Sequence, residues 1–219
     1  MKIRLHCGEG VSREEGQIAI CALAEIGVLL PKVSDDRFHI RDFGNWSQGI
    51  GPFQSLEWYE NSSYIPEIDK FNGSNILLNF ILEPWKKGDP HFDIAIFSKR
   101  MTAKDCDGNW LSFIFGLAGS GAAIISTHEF NHGLKNKRLR HLCLRRGVLH
   151  EFFHILGLVP DSRKTNIDNR LGLHCSNICV MRQGMSLSEW KNYAVEEEEK
   201  KVILCHQCKK DLHEVLSRK

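Results

Sequence analysis

The run His150-Glu151-Phe152-Phe153-His154 reads H-E-x-x-H inside a stretch of helical character. Residues at i and i+4 share one helix face. Both imidazoles can then reach a single zinc ion, at about 2.0–2.1 Å from each nitrogen. Glu151 follows the first histidine and can point toward a water at the metal without ligating it. Zinc brings the pKa of such a water to about 7, and a carboxylate can take the proton. The implied chemistry is zinc-assisted hydrolysis of an amide bond. The run continues as Ile155-Leu156-Gly157-Leu158, which keeps the helix apolar. Gly157 supplies the positive φ that ends a helix sharply and lets the chain turn back under the metal. Further on, His174-Cys175-Ser176-Asn177-Ile178-Cys179-Val180-Met181 brings a third zinc-ligand candidate, two thiols and a methionine into one short segment.

The same pattern occurs earlier, at His128-Glu129-Phe130-Asn131-His132. It follows a strand-like run, Ala122 to Thr127, and Gly133 comes directly after its second histidine. Little helix is expected around it, so its histidines need not share a face. We therefore assign the catalytic role to the His150 copy and read His128 and His132 as surface histidines in a polar loop.

Cys175, Cys179, Cys205 and Cys208 form a second constellation, C-x3-C and a distant C-x2-C. Four thiolates at such spacing close a tetrahedral structural zinc site with no open position. The competing reading of Cys205-His206-Gln207-Cys208 is a redox pair. Redox pairs of this kind normally follow a strand near a βαβ start, whereas this one lies close to the C-terminal end of the sequence. A structural site would hold a C-terminal subdomain with few apolar residues. His206 lies between two of the cysteines and could compete for the metal.

From His150 to Met181, together with Cys205-His206-Gln207-Cys208, the sequence resembles the archaemetzincins, a branch of the metzincin metallopeptidases. Their pattern runs H-E-x-x-H-x-x-G-x-x-H-C, then C-x-M, then a distal C-x-x-C. The resemblance covers the C-terminal third and extends more weakly upstream through Phe92 to Phe97 and Leu111 to Ala118. It implies an α/β (α+β) fold with a metzincin-like mixed sheet, a backing helix, an active-site helix and a small zinc-stabilised C-terminal subdomain. It also implies that Met181 lies beneath the catalytic metal as an apolar base, where a methionine is otherwise gap-filling core.

The departures from that pattern are specific. Pro160 stands where the family has its third histidine, and proline cannot ligate. The next histidine is His174, beyond the polar stretch Asp161 to Arg170, which reads as an inserted surface loop. Asp161 is the rival third ligand, since carboxylates bind zinc. His174 adjoins Cys175 as the family's third histidine adjoins its cysteine, and it is preferred on that ground. The loop is expected to bulge away from the metal. The cysteine pair has three intervening residues where the family usually has four, and the segment from Met181 to Cys205 is longer.

These residues must be positioned by an α/β succession of elements. Strands are expected at Lys2 to Cys7, Phe38 to Phe43, Phe92 to Ser98, Leu111 to Ala118 and Ala122 to Thr127. Helices are expected at about Ser12 to Leu30, Glu67 to Glu83 and Arg138 to Leu156. Gly44 to Pro66 reads as polar and turn-rich. Gly119-Ser120-Gly121 joins two strands and lacks the following Lys-Ser/Thr of a phosphate loop. In the metzincin picture the strand before this turn is the sheet's edge, to which an extended peptide can add. Glu196 to Lys201 reads as a solvated helix face with i,i+4 pairs.

The 219 residues, 42% hydrophobic, can bury one sizeable core. Residues 1–157 are expected to carry the edge strand and active-site helix. Residues 158–219 would carry the third ligand, the methionine turn and the four-cysteine site. A net charge of +2 makes no demand for nucleic acid or an anionic membrane. Ile18 to Leu30 is interrupted by Glu25 and follows Arg13-Glu14-Glu15, so it does not read as a signal peptide, and it is too short and too charged to span a membrane. Eight cysteines without a leader favour a reducing, cytoplasmic setting and metal ligation over disulfides. Cys7, Cys21, Cys106 and Cys143 are dispersed and expected as buried free thiols.

The expected function is that of a monomeric zinc metallopeptidase with two zinc ions, one catalytic and one structural, acting on a peptide or protein. His150, His154 and His174 would hold the catalytic ion, and Glu151 would be the general base. The alternative is a zinc-stabilised binding protein with little turnover. Tyr193 could assist the oxyanion, but no spacing supports it.

Overall fold

The computed structural model describes residues 1–30, 39–44 and 55–217. Phe38, the start of one expected strand, and positions 45–54 of the turn-rich stretch lie outside them.

The main sheet comprises β1 (Lys2–Cys7), β2 (His39–Gly44), β5 (Phe92–Phe97), β7 (Gly116–Gly119) and β8 (Ala122–Ser126), in the order β2-β1-β5-β8-β7. The first four positions in that order run parallel, and β7 runs antiparallel along β8 at the edge. A short mixed sheet of β3 (Tyr64–Ile65), β4 (Lys70–Asn72) and β6 (Met101–Thr102) lies beside it.

Both faces of the main sheet are covered, which explains why β5 and β8 read as nearly continuous apolar runs. Alternate residues Ile3, Leu5, Ile94 and Ile96 pack with α1 (Arg13–Leu29) and α5 (Lys137–Leu156). Ala95, Phe97 and Ile124 face α2 (Leu56–Asn61) and α3 (Gly73–Ile81). Each large side chain so buried, such as Phe152 or Phe80, contributes roughly 1.5–3 kcal/mol. The first cluster continues to Trp190 on α6 (Leu187–Glu199) and Leu212 on α7 (His206–Ser217). Two further elements are α4 (His128–Gly133) and the hairpin of β9 (Ile167–Asp168) with β10 (His174–Cys175). No helix among the described residues is long and apolar enough to cross a membrane.

Local chemistry sets the helix ends. Ser12 and Glu15 form a reciprocal capping box at the start of α1. Asn136 caps α5 by accepting from the Leu139 N–H. At its other end Gly157 takes φ +86°, the Leu158 N–H donates to the Phe153 carbonyl, and the Gly157 N–H donates to that of His154. This is a Schellman ending, and it turns the chain away directly after His154.

Several expectations require correction. The helix foreseen from Glu67 begins at Gly73, because Asp69 takes the left-handed conformation and residues 70–72 form β4. Leu111 to Phe115 do not extend β7. Leu111 and Ile114 donate instead to the carbonyls of Ala103 and Met101. Glu197, read as solvated, is buried against Arg146, while Glu196 and Lys200 do form the surface i,i+4 pair. Cys143 is buried, but Cys21 and Cys106 are exposed.

Candidate metal centres

Helix α5 presents His150 and His154 one turn apart, and β10 brings His174 against them. The Nε2 atom of His154 lies 3.3 Å from that of His150 and 3.1 Å from that of His174. The outer nitrogens are directed elsewhere: His150 Nδ1 lies 2.6 Å from the Val180 carbonyl, and His174 Nδ1 lies 3.1 Å from that of Gly172. Carbonyls only accept, so both histidines carry their proton on Nδ1 and turn an Nε2 lone pair inward. Lone pairs converging on one point repel unless a cation sits between them. A tetrahedral zinc with bonds of about 2.0–2.1 Å spaces its nitrogens about 3.3–3.4 Å apart, close to these two separations. Burial pushes His154 down to about 3 and His150 well below its ordinary value, with the neighbouring histidines adding to the effect. Burial therefore favours the neutral imidazoles, the form that can bind metal.

Glu151 projects from α5 toward the edge strand and touches Gly116. A Cβ at that glycine would sit 2.6 Å from Glu151 Oε1. The residue is 4% exposed, and burial pushes its carboxyl up to about 8, while Arg146 pulls the other way. This glycine was not legible as part of the site. Its only sequence signal was its place on an expected edge strand.

The four cysteines converge as well. Cys175 Sγ lies 3.7 Å from Cys205 Sγ, and Cys179 Sγ lies 3.8 Å from Cys208 Sγ. Bonds of about 2.3 Å to one zinc would space tetrahedral sulfurs about 3.8 Å apart. All four thiols are free and mutually close, so this donor set fits a closed structural site.

The segment 179–182 connects the two centres. Cys179 belongs to the sulfur cluster, the Val180 carbonyl orients His150, and the Met181 carbonyl accepts from the Cys175 N–H. Met181 is fully buried in the main apolar cluster. Beneath His150, the Trp190 ring packs edge-on at 5.4 Å and also lies under the Arg146 guanidinium. Arg146 pairs with buried Glu197 and donates to the Arg182 carbonyl. Tyr193 lies against the Arg182 guanidinium, 3.6 Å from ring centre to Cζ.

Other candidates separate from these centres. Asp161 is exposed and does not join the histidine triangle. His206 is exposed and outside the sulfur cluster. His128 and His132 were expected in a loop, where they need not share a face; they lie on six-residue helix α4 with their rings stacked at 4.1 Å. Buried Phe130 anchors that helix, and Gly133 ends it without preventing it. No third ligand joins the pair among the described residues. A third polar group, Glu83, His91 and Asp93, was not foreseen. Lys86 lies 2.7 Å from Asp93 and Arg4 lies 3.1 Å from His91, so side-chain cations already hold that cluster.

No protein-family model matches the chain. A protein named archaemetzincin from Nanoarchaeum equitans (strain Kin4-M) is 29% identical over 152 residues, covering 69% of this chain and 67% of that protein. The crystal structure of archaemetzincin from Methanopyrus kandleri superposes with a TM-score of 0.68 at 18% identity, over 100% of this chain and 96% of the other. The malonate complex of archaemetzincin from Archaeoglobus fulgidus gives 0.59 at 20% identity, over 96% of this chain and 99% of the other. A structure described as a zinc-dependent peptidase from Methanocorpusculum labreanum (strain Z) gives 0.56 at 18% identity, again over 96% and 99%. At these identities the solved structures speak for the fold, and the Nanoarchaeum protein for similarity in sequence. The chain is an archaemetzincin-like protein.

Proposed function

We propose that the protein is a zinc-dependent metallopeptidase. The observation that carries this reading is the inward-facing Nε2 triangle of His150, His154 and His174, with Glu151 next to His150 on the same helix and its carboxyl against the edge strand. Sequence similarity to archaemetzincin and the fold shared with a structure described as a zinc-dependent peptidase support it. Zinc held by the three histidines would supply the Lewis acidity that polarises a carbonyl and makes a water acidic near neutral pH.

The chain's own residues then have defined tasks. Val180 and Gly172 hold the imidazoles of His150 and His174 in their ligating tautomer. Glu151 accepts the proton of the attacking water and returns it to the leaving amine. Burial alone favours the protonated carboxyl near neutral pH, and a cation held by the histidines would act in the opposite direction. Strand β7 offers a place for the substrate. The Ser126 N–H donates to the Phe115 carbonyl, and Gly116 pairs with Ile125. In this register Phe115 and Leu117 direct their main-chain groups to β8, while Gly116 and Ala118 direct theirs outward. An extended peptide would add there as a further strand, next to Glu151. Cys175, Cys179, Cys205 and Cys208 would hold a second, structural zinc.

The test is Glu151→Gln. It should abolish cleavage of a peptide library while elemental analysis shows the same zinc content as the parent. Equal turnover in the variant would refute the assignment.

A further inference from the structure

The stretch from Pro160 to Arg170 is where this sequence departs from the archaemetzincin pattern, and the structure does not leave it bulging free. Its turn, closed by the Arg163 N–H to the Pro160 carbonyl, sends the Arg163 side chain inward, to 6% exposure. The guanidinium uses its whole fork. Nε donates to the Thr165 carbonyl at 2.9 Å. One terminal nitrogen donates to Cys208 Sγ at 3.3 Å and to Asp211 Oδ2 at 3.1 Å. The other donates to Cys175 Sγ at 3.1 Å and to the Asn166 carbonyl at 3.0 Å.

We propose that Arg163 is a positioning residue that ties the inserted loop to the four-cysteine centre and thereby sets the third histidine of the neighbouring centre. Two consequences of the geometry carry this. The first concerns the sulfurs. Four thiolates around one divalent cation leave a doubly negative group in a buried place, which is costly without compensating donors. The Asn177 and Cys208 main-chain N–H groups and Asn177 Nδ2 donate to the same cluster, and all are neutral. Arg163 adds charge-assisted bonds to two sulfurs at once, a fork that a lysine ammonium cannot reproduce.

The second concerns His174. Thr165 and Asn166 lead directly into β9, which pairs with β10, and the Asn166 carbonyl also accepts from the Ser176 N–H. Arg163 therefore grips one strand of this hairpin through two carbonyls and the other through Cys175, the residue next to His174. Its hydrogen bonds go to none of the three histidines, so an effect on their metal would pass through the hairpin to His174, or through the sulfurs and Val180 to His150.

The histidine half of this inference rests on the proposed peptidase reading. The experiment uses the full chain in two loadings: cobalt(II) at the cysteines, read by its thiolate charge-transfer band, and cobalt(II) at the histidines with zinc kept at the cysteines, read by its ligand-field bands. In Arg163→Lys the thiolate band should move to lower energy, and cobalt affinity at the histidine centre should fall below the parent's. An unmoved band, or histidine-centre affinity equal to the parent's, overturns the proposal. A measurement on the parent chain covers the case of a variant that does not fold. With ¹¹³Cd in the four-cysteine centre, scalar coupling from the metal to the Arg163 guanidinium protons is expected, and its absence overturns the proposal. A parent chain that binds no cobalt at the histidines would instead refute the peptidase reading and leave the cadmium result to judge Arg163.

Discussion

Glu151 lies against Gly116 so closely that a single methyl group on that glycine would meet its carboxyl oxygen at 2.6 Å. The proposed base is therefore shaped from two sides: α5 carries it, and the edge strand leaves room for it. Gly116→Ala should displace the carboxyl by a fraction of an ångström to an ångström. Misplacements of this size can cost roughly 100-fold in rate. The expected outcome is a large fall in kcat with unchanged zinc content and little change in thermal unfolding. Unaltered kcat would show that the close approach is only packing.

Removal of metal should affect the two centres differently. Elemental analysis of protein purified without chelators is expected to give two zinc ions per chain, and one or none would sink the pairing of centres. Cys208→Ser should mainly damage folding, because structural zinc binding is folding free energy on the order of 10 kcal/mol. His154→Ala should remove one metal and leave most of the fold, since His154 is only half-buried at the open centre. His132→Ala should do neither. Thermal unfolding and metal content of the three variants check this order.

The H-E-x-x-H run was legible because its chemistry and the helical period coincide, and Gly157 marked the helix end. The cysteines were legible from spacing alone. What the sequence concealed depends on contacts between distant segments. Nothing in Pro66 to Glu83 announces that Phe71 and Asn72 will pair with Met101 and Thr102, which moves the helix start to Gly73. Arg163 looks like any loop arginine until the hairpin folds over the sulfurs. Glu197 sits in a run of four glutamates, and only its helical phase against Arg146 buries it. Helix α4 was missed because Gly133 was weighed as a breaker, whereas the glycine clears space for Leu187, whose Cδ2 occupies the place a Cβ would take.

The Glu151 carboxyl makes a signed prediction about stability in the metal-free protein. Its pKa rises on folding from the ordinary 4.5 to about 8, because burial disfavours the charge. Between those values the folded chain holds a proton that the unfolded chain has lost. Its contribution is thus fully present below about 4.5 and is lost as pH rises through 8. His154 has the opposite sense. Its pKa falls on folding from 6.5 to about 3, so stability is lost as pH drops from 6.5 toward 3. Chelator-treated Glu151→Gln should therefore gain stability relative to the parent as pH rises from 4.5 to 8. Urea unfolding at several pH values checks it, and a pH-independent difference would contradict the burial argument.

The final prediction separates His174 from Asp161 as third ligand. His174 is buried with its Nε2 in the triangle, and Asp161 is exposed at the start of the loop. Gly157 ends α5, and Pro160 has no side chain able to bind. The chain must therefore return to the metal further along, and β9 pairing with β10 provides that return. His174→Ala should remove one of three neutral donors and lower zinc affinity at this centre strongly, with loss of cleavage. Asp161→Ala should leave both metal content and cleavage within experimental error of the parent. Zinc retained in the first variant and lost in the second would exchange their roles. The hairpin would then have to open and bring the loop's first residue to the metal, breaking the Arg163 contacts to Cys175 and Cys208.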